Sequence, residues 1–390
     1  MIAPPLTPQW TLHGRRDSER ARELAAALDA PFAAGEALVN RGIASLEDAR
    51  RFLDPCLEDL HDPSRLLDLD LAVGRIRRAI ERGERILVHG DYDVDGITST
   101  FLLYRALSDL GARAEYRIPH RTRDGYGLSL EAIEEAHRRE CTLVVTVDCG
   151  ITAVEPVKRA AALGIDTVIT DHHAPAAALP SAIALVNPHR AGCEYPFKPL
   201  AGVGVTFKLV EALFRGRGGL ERARQQLDVV ALGTIADVVP LVGENRVLAR
   251  LGLDLLNRGE RLGLRALIDV AGLSGKHISS GQVAFVLAPR INAAGRMGNP
   301  EQGVRLLLAR DGGEAQAIAA SLEEDNVRRR RFDENALVEA VAQVESELSW
   351  PNCSSIVLWS DRWHPGVIGI VASRLVERFQ RPALLVALDG

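Results

Sequence analysis

A chain of 390 residues is long enough for two or three domains around a sizeable core, and 47% hydrophobic against 25% charged residues is the balance of a soluble globular protein. A formal net charge of −5 excludes a generally basic nucleic-acid coat but leaves room for a local basic groove; only four of the 47 basic residues are lysines, the rest being arginines. No apolar run approaches the length of a membrane span, Met1 to Leu12 lacks the features of a secretory signal, and five cysteines without a C-x-x-C pair point to free thiols in a reducing, cytoplasmic setting.

Residues 1–62 read as an irregular arm with short helices at Ser18–Leu28 and Leu46–Phe52, punctuated by the turns Leu53-Asp54-Pro55 and His61-Asp62-Pro63. A helical pattern over Asp70–Arg82 leads into Ile86-Leu87-Val88-His89-Gly90-Asp91-Tyr92-Asp93-Val94-Asp95-Gly96. There a β-type apolar run stops at a glycine, three carboxylates follow at alternating positions, and a second glycine precedes a helical pattern from Ile97 to Leu110. Further strands are expected at Ala114–Ile118, Leu143–Val147, Thr167–Thr170 and Ile183–Val186, with helices at Ser129–Arg139 and Pro156–Leu163 between them. This alternation predicts an α/β fold, a doubly wound and mostly parallel sheet within a domain over residues 63–310. The part of that domain after Gly202 is mostly helical, including Leu227–Ala236 and Gln282–Leu287. A long connecting helix is expected over 311–348, broken if anywhere at Arg328-Arg329-Arg330-Arg331, a run that reads as a solvated helix face. After Trp350-Pro351 a strand at Ser355–Trp359, a helix at Val367–Phe379 and a strand at Ala383–Leu388 begin a second, smaller α/β domain over 349–390. Two strands cannot close a core, so that domain is expected to continue beyond Gly390.

In an open parallel sheet, ligands gather beyond the carboxyl ends of the strands, which is where Asp91, Asp93 and Asp95 fall. Three like charges within five residues of a buried strand repel one another unless a cation neutralises them. The alternative is a solvated acidic turn with Asp95 capping the following helix. Two other strand ends repeat the theme, delivering Asp148-Cys149-Gly150 and Asp171-His172-His173, and Asp237 sits in the otherwise apolar Gly233–Pro240. A mixed set of carboxylates and imidazoles suits manganese, with magnesium as a possible substitute, and argues against calcium or structural zinc. More ligands than one ion needs point to a pair of ions bridged by a carboxylate, as in phosphoester hydrolases.

The order Asp91-Tyr92-Asp93-Val94-Asp95-Gly96, Val147-Asp148-Cys149-Gly150, Asp171-His172-His173 and Ile235-Ala236-Asp237-Val238-Val239-Pro240-Leu241 resembles the DHH phosphoesterases. The segments Ile118–Gly127, Ala201–Val205, Pro289–Arg296 and His364–Gly369 resemble one branch of that family, the RecJ-like exonucleases, which degrade single-stranded DNA from 5′ to 3′. The resemblance covers roughly residues 60–390 and implies that Asp93, Asp95, Asp148, His172 and Asp237 bind two Mn2+ ions, with Asp148 as the bridge. The spacing found in related pyrophosphatases adds His89 as a further ligand. Asp91 and Asp171 would orient ligands, and His173 would contact the scissile phosphate or assist the leaving group. Arg121, Arg123 and Tyr126 can clamp phosphates and stack a base, although a solvated turn reads equally from their composition. Arg290 is expected to stabilise transition-state charge, with Asn292, Arg296 and His364 contacting substrate. The implied chemistry is two-metal hydrolysis of the 5′-terminal phosphodiester in DNA repair and recombination, with a single-strand-binding protein and a helicase as partners.

Other readings stay open. A nanoRNase or cyclic-dinucleotide phosphodiesterase shares the metal core, and a non-catalytic DNA-binding scaffold can share the fold, although here every ligand position is filled. A dinucleotide-binding Rossmann domain is excluded, because Gly90-Asp91-Tyr92-Asp93 would repel a pyrophosphate.

Overall fold

The computed structural model describes residues 17–121, 124–216, 218–347 and 353–388, in two compact units, Met1–Leu60 and His61–Gly390. In the first unit α1 (Ser18–Ala27) is capped by Asp17, which accepts from the Arg20 amide at 2.9 Å, and α3 (Leu46–Leu53) by Ser45, which accepts from the Asp48 amide at 3.0 Å. Between them α2 (Phe32–Asn40) escapes a pattern reading, because it starts after Pro31 without a side-chain cap. Gly35 lies against the Ala21 carbonyl, where a methyl group would collide, so α1 and α2 pack closely over Leu24, Leu38 and Ala49.

The second unit opens with α4 (Leu69–Glu81) and then alternates: β1 (Arg85–His89), α5 (Val94–Asp109), β2 (Arg113–Arg117), α6 (Leu130–Arg138), β3 (Leu143–Val147), α7 (Val154–Ala162), β4 (Asp166–Thr170) and β5 (Ala184–Val186). The strands form one parallel sheet in the order β2-β1-β3-β4-β5, the doubly wound α/β arrangement. The central strands are near-continuous apolar runs because both faces are covered, and all five residues of β3 are buried. Ala132, Ile133 and Ala136 of α6 and Val157 and Ala160 of α7 pack one face, while α4, α5 and α8 (Gly202–Leu213) lie on the other. The order of winding reverses between β1 and β3, so the crevice at this switch point opens beside the loop after β1 and the residue after β3.

A helical layer follows: α9 (Gly219–Arg224), α10 (Leu227–Ala236), α11 (Gly243–Arg258), α12 (Leu262–Val270) and α13 (Ser280–Gln282). A π-helical turn, Val283–Leu287, then runs into α14 (Ala288–Met297), followed by α15 (Glu301–Leu308). The segment Pro289–Arg296 is therefore helix, with Pro289 in the first turn, where its missing N–H costs nothing. A buried ion pair ties the layer together. Lys208 Nζ, fully buried, lies 2.7 Å from Glu244 Oε1 and donates to the His61 carbonyl, while the Tyr195 hydroxyl donates to Glu244 Oε2 at 2.8 Å.

The long helix α16 (Gly312–Glu347) passes through the four arginines unbroken. Arg328, Arg330 and Arg331 are exposed, but Arg329 turns inward to Asn326 at 3.0 Å and toward Asp333, so the run is not a uniformly solvated face. Its C-terminal half carries Ala336, Ala340 and Val344 onto a βαβ unit of β6 (Ile356–Ser360), α17 (Ile368–Phe379) and β7 (Ala383–Ala387), the two strands being parallel. The expected boundary at Trp350-Pro351 lies outside the described residues. No helix of the described residues is long and apolar enough to cross a membrane.

Candidate metal centre

The acidic loop after β1 is shaped by its own backbone. Asp93, not Asp95, caps α5: its Oδ1 accepts from the Gly96 amide at 3.0 Å. Asp95 falls in the first turn of that helix, buried, and both its oxygens accept from backbone amides, Val203 N and Gly202 N, at 2.7 Å each. Those amides open α8, so the helix dipole favours the Asp95 charge. Small residues at Ala201–Gly204 let the helix end come this close; a methyl group on Gly202 would collide with the Asp148 carboxylate. Asp148 follows β3 in a left-handed conformation, φ +60°, which a non-glycine residue adopts at a cost and which is found where a side chain must be aimed.

Three overlapping groups result, each with donor atoms within 4.8 Å of one another: Asp91, Asp93 and Asp148; Asp148, His172 and His173; Asp95, His172 and Asp237. Asp148 joins the first two and His172 the last two. His172 Nε2 stands 3.2 Å from Asp148 Oδ1, 3.7 Å from Asp237 Oδ2 and 3.9 Å from Asp95 Oδ2. Asp237 reaches them from the C-terminal end of α10. Asp91, read from sequence as an orienting residue, lies within a donor group.

This donor set fits a divalent cation. Asp91 Oδ1, Asp148 Oδ1 and His172 Nε2 are buried without a hydrogen-bond partner, which is costly for polar atoms unless something else binds them. Burial, and then the Asp93 charge, push Asp91 and Asp237 up to about 7. Asp148 is raised by burial and by Asp95, and Asp95 by burial and by Asp237. Carboxylates crowded in this way ionise together only beside a cation. Burial, followed by the neighbouring His173, lowers His172 to about 4, keeping the neutral imidazole that ligates metals.

Around this centre Asp171 acts as an anchor, accepting from the amides of Ile151, His172 and His173 at 2.9, 2.7 and 3.0 Å and from His173 Nδ1 at 2.7 Å. Burial pushes Asp171 up, but the His173 hydrogen bond and charge outweigh it and hold the carboxylate below its usual range. The same bond raises His173 and directs its Nε2 outward, 3.1 Å from the hydroxyl of the half-exposed Tyr126. Tyr126 also meets Tyr92 edge to face at 6.4 Å, and the Arg121 guanidinium lies 5.0 Å from the Tyr92 ring centre. Tyr92 was not among the residues expected to contact substrate; its place between Asp91 and Asp93 in an alternating run is the signal for it. Arg296 stands near Arg121 and Arg329; burial first, then those two charges, lower it to about 10.

Not every expected residue joins this assembly. Arg290 donates to the Val286 carbonyl at 2.7 Å and pairs with Glu323 at 2.5 Å, so its charge is engaged within the helical layer. Asn292 Oδ1 accepts from the Val94 amide at 3.1 Å and so steadies the acidic loop from α14. His364 Nδ1 accepts from the Gly366 amide, and its ring stacks on Phe332. His89 lies outside the three donor groups: its Nε2 is 3.1 Å from the Gly127 carbonyl and must carry the proton, while burial and then Arg117 lower the imidazole to about 4. Arg123 lies outside the described residues.

The model of the DHH family's N-terminal domain matches residues 85–234. The single-stranded-DNA-specific exonuclease RecJ of Bacillus subtilis is 41% identical over 381 residues, covering 98% of this chain and 48% of the relative. The protein of that name from Escherichia coli is 38% identical over 392 residues, covering 96% and 67%. The crystal structure of RecJ from Thermus thermophilus in complex with Mn2+ matches with a TM-score of 0.82 at 38% identity, over 95% of this chain and 53% of that one. The chain thus spans about half the length of the first relative and two thirds of the second. With the DHH family's N-terminal domain matching the sheet that carries this site, and with identity near 40% to RecJ proteins over nearly its whole length, this chain belongs to the RecJ family of DHH phosphoesterases.

Proposed function

We propose that this chain hydrolyses single-stranded DNA from the 5′ end to mononucleotides, as a metal-dependent exonuclease. The observation that carries the reading is the set of overlapping donor groups at the β1/β3 switch point, with Asp148 shared between two of them. Asp93, Asp95, Asp148, His172 and Asp237 would hold two divalent cations, Mn2+ or Mg2+ in its place, with Asp148 placed to serve both. Cations held there neutralise the phosphate and lower the pKa of a water molecule enough to attack it near neutral pH. His173, held by Asp171 in the tautomer with hydrogen on Nδ1, takes a further proton on Nε2 and donates it to the leaving 3′-oxygen. Hydrogen bonds from His173 and the backbone keep Asp171 charged in spite of its burial, and this favours the protonated His173. Arg121, Arg296, Tyr92 and Tyr126 bind the strand beside the centre, and guanidinium with aromatic rings is the combination that tracks phosphates and stacks bases. This reading implies a cytoplasmic role in repair and recombination, with a single-strand-binding protein and a helicase as proposed partners.

The test is hydrolysis of 5′- and 3′-labelled single strands in Mn2+, beside a duplex, a dinucleotide and Asp148→Ala. Release of mononucleotides from the 5′ end of single strands, lost in the variant, is the expected result. Cleavage of the dinucleotide alone would move the chain to the short-substrate branch, and binding without cleavage to a scaffold.

A further inference from the structure

The arginine run on α16 divides into two parts with different surroundings. Arg329 is turned inward, whereas Arg328, Arg331 and Phe332 fall at spacings of three and four residues and share one face of the helix. That face is fixed at both ends. Arg328 donates to the Met297 carbonyl at the end of α14 and is held by Asp325 at 2.6 Å. Phe332, 36% exposed, stacks on His364 with ring centres 5.1 Å apart and planes 30° apart. The turn bearing His364 is itself clamped to α14, since Arg296 donates to the Gly366 carbonyl at 2.9 Å. A methyl group on Gly366 would stand 2.5 Å from the Arg296 carbonyl and about 3 Å from the His364 ring, so only glycine permits this approach. Arg331 is exposed and has no carboxylate partner among the described residues.

We propose that the Phe332–His364 pair, flanked by Arg328 and Arg331, is a second contact site for the single strand, a base-stacking platform with phosphate-binding guanidiniums. The inference rests on the exonuclease reading for its substrate and extends it to the path of the strand away from the metal centre. α14 links the two places. Asn292 touches the acidic loop and Met297 touches Arg328, five residues or about 8 Å further along the helix. A pre-stacked pair suits the task because every base has a π-face and a rigid platform loses little entropy on binding. Burial, with Arg328 beside it, keeps His364 neutral, so the ring stacks and the arginines supply the charge.

The test is fluorescence anisotropy of a labelled oligothymidine of about 20 nucleotides in EDTA, which reads binding without cleavage. Phe332→Ala weakens binding about tenfold, Phe332→Tyr restores it, and Arg331→Gln lowers the slope of log affinity against log salt by about 0.7, the share of one phosphate contact. Wild-type affinity in Phe332→Ala together with an unchanged salt slope in Arg331→Gln overturns the proposal. Cleavage by the wild type is scored separately, so a protein that binds on this platform and cuts nothing would refute the exonuclease reading alone.

Discussion

Replacing Gly202 with alanine adds one methyl group directly against the carboxylate of Asp148. The new carbon would collide with Asp148 Oδ1 and stand 2.7 Å from Cγ and 2.8 Å from Cβ, where ordinary contact begins near 3.4 Å, so the side chain must retreat by at least about 0.7 Å. Asp148 cannot make that room easily, because it already occupies a left-handed backbone conformation at the end of a fully buried strand. A displacement approaching 1 Å in a catalytic group costs on the order of 100-fold in rate, about 2.7 kcal/mol of transition-state stabilisation. The fold should lose much less, within the roughly 1–3 kcal/mol of an added buried methyl, partly offset by the better helix propensity of alanine. Gly204→Ala, two residues along the same helix, is the control; its methyl meets chiefly Leu200 Cδ2 at 3.1 Å, the end of a flexible side chain. The assay is Mn2+ affinity by calorimetry with single-strand hydrolysis, beside urea denaturation of each variant. Wild-type affinity and rate in Gly202→Ala, or equal damage in Gly204→Ala, would refute the reasoning.

Three further outcomes are expected. Lys208→Met leaves the Glu244 carboxylate buried without its cation and should lower stability by about 3–5 kcal/mol in urea, whereas a loss under about 1 kcal/mol would show that water reaches the pair. Tyr126→Phe removes the hydroxyl beside His173 Nε2 and keeps the ring, so kcat should fall about two- to tenfold with KM unchanged; a rise in KM alone would show that the hydroxyl contacts the substrate instead of His173. Because Asp91 and Asp237 are pushed up to about 7 without metal, and Asp95 and Asp148 are raised as well, cation binding at pH 7 should expel at least about one proton, seen as a buffer-dependent heat, and affinity should fall as pH drops through 7. The sign for stability runs the other way. These raised groups stabilise the metal-free fold below about 4 and lose that contribution as pH rises through 7, so Asp237→Asn should gain on the wild type in chelator at pH 8 and not at pH 4.

Much of this protein is legible from one sequence because backbone geometry imprints its periods on side chains. Ile86–Val88, Leu143–Val147 and Thr167–Thr170 read as strands since a parallel sheet covered on both faces leaves no polar side to its strands. Their acidic ends are readable for the same reason, because a carboxylate straight after a buried run needs a partner. Where packing outweighs pattern, reading fails. α2 has no cap, and the arginine run on α16 sends Arg329 inward to Asn326.

By itself, then, the sequence determined the strands, the order of the motifs and the residue types able to bind a metal, all of which follow from local geometry and charge. Only the tertiary structure decided which of those residues meet. The order β2-β1-β3-β4-β5 brings Asp148 beside Asp93 and Asp91, 55 and 57 residues earlier in the chain, and the end of α8 claims both oxygens of Asp95. It also leaves His89 on the Gly127 carbonyl and Arg290 on Glu323. Which strand pairs with which, and which helix end has room to approach a carboxylate, depend on packing between distant segments, and no local pattern records that.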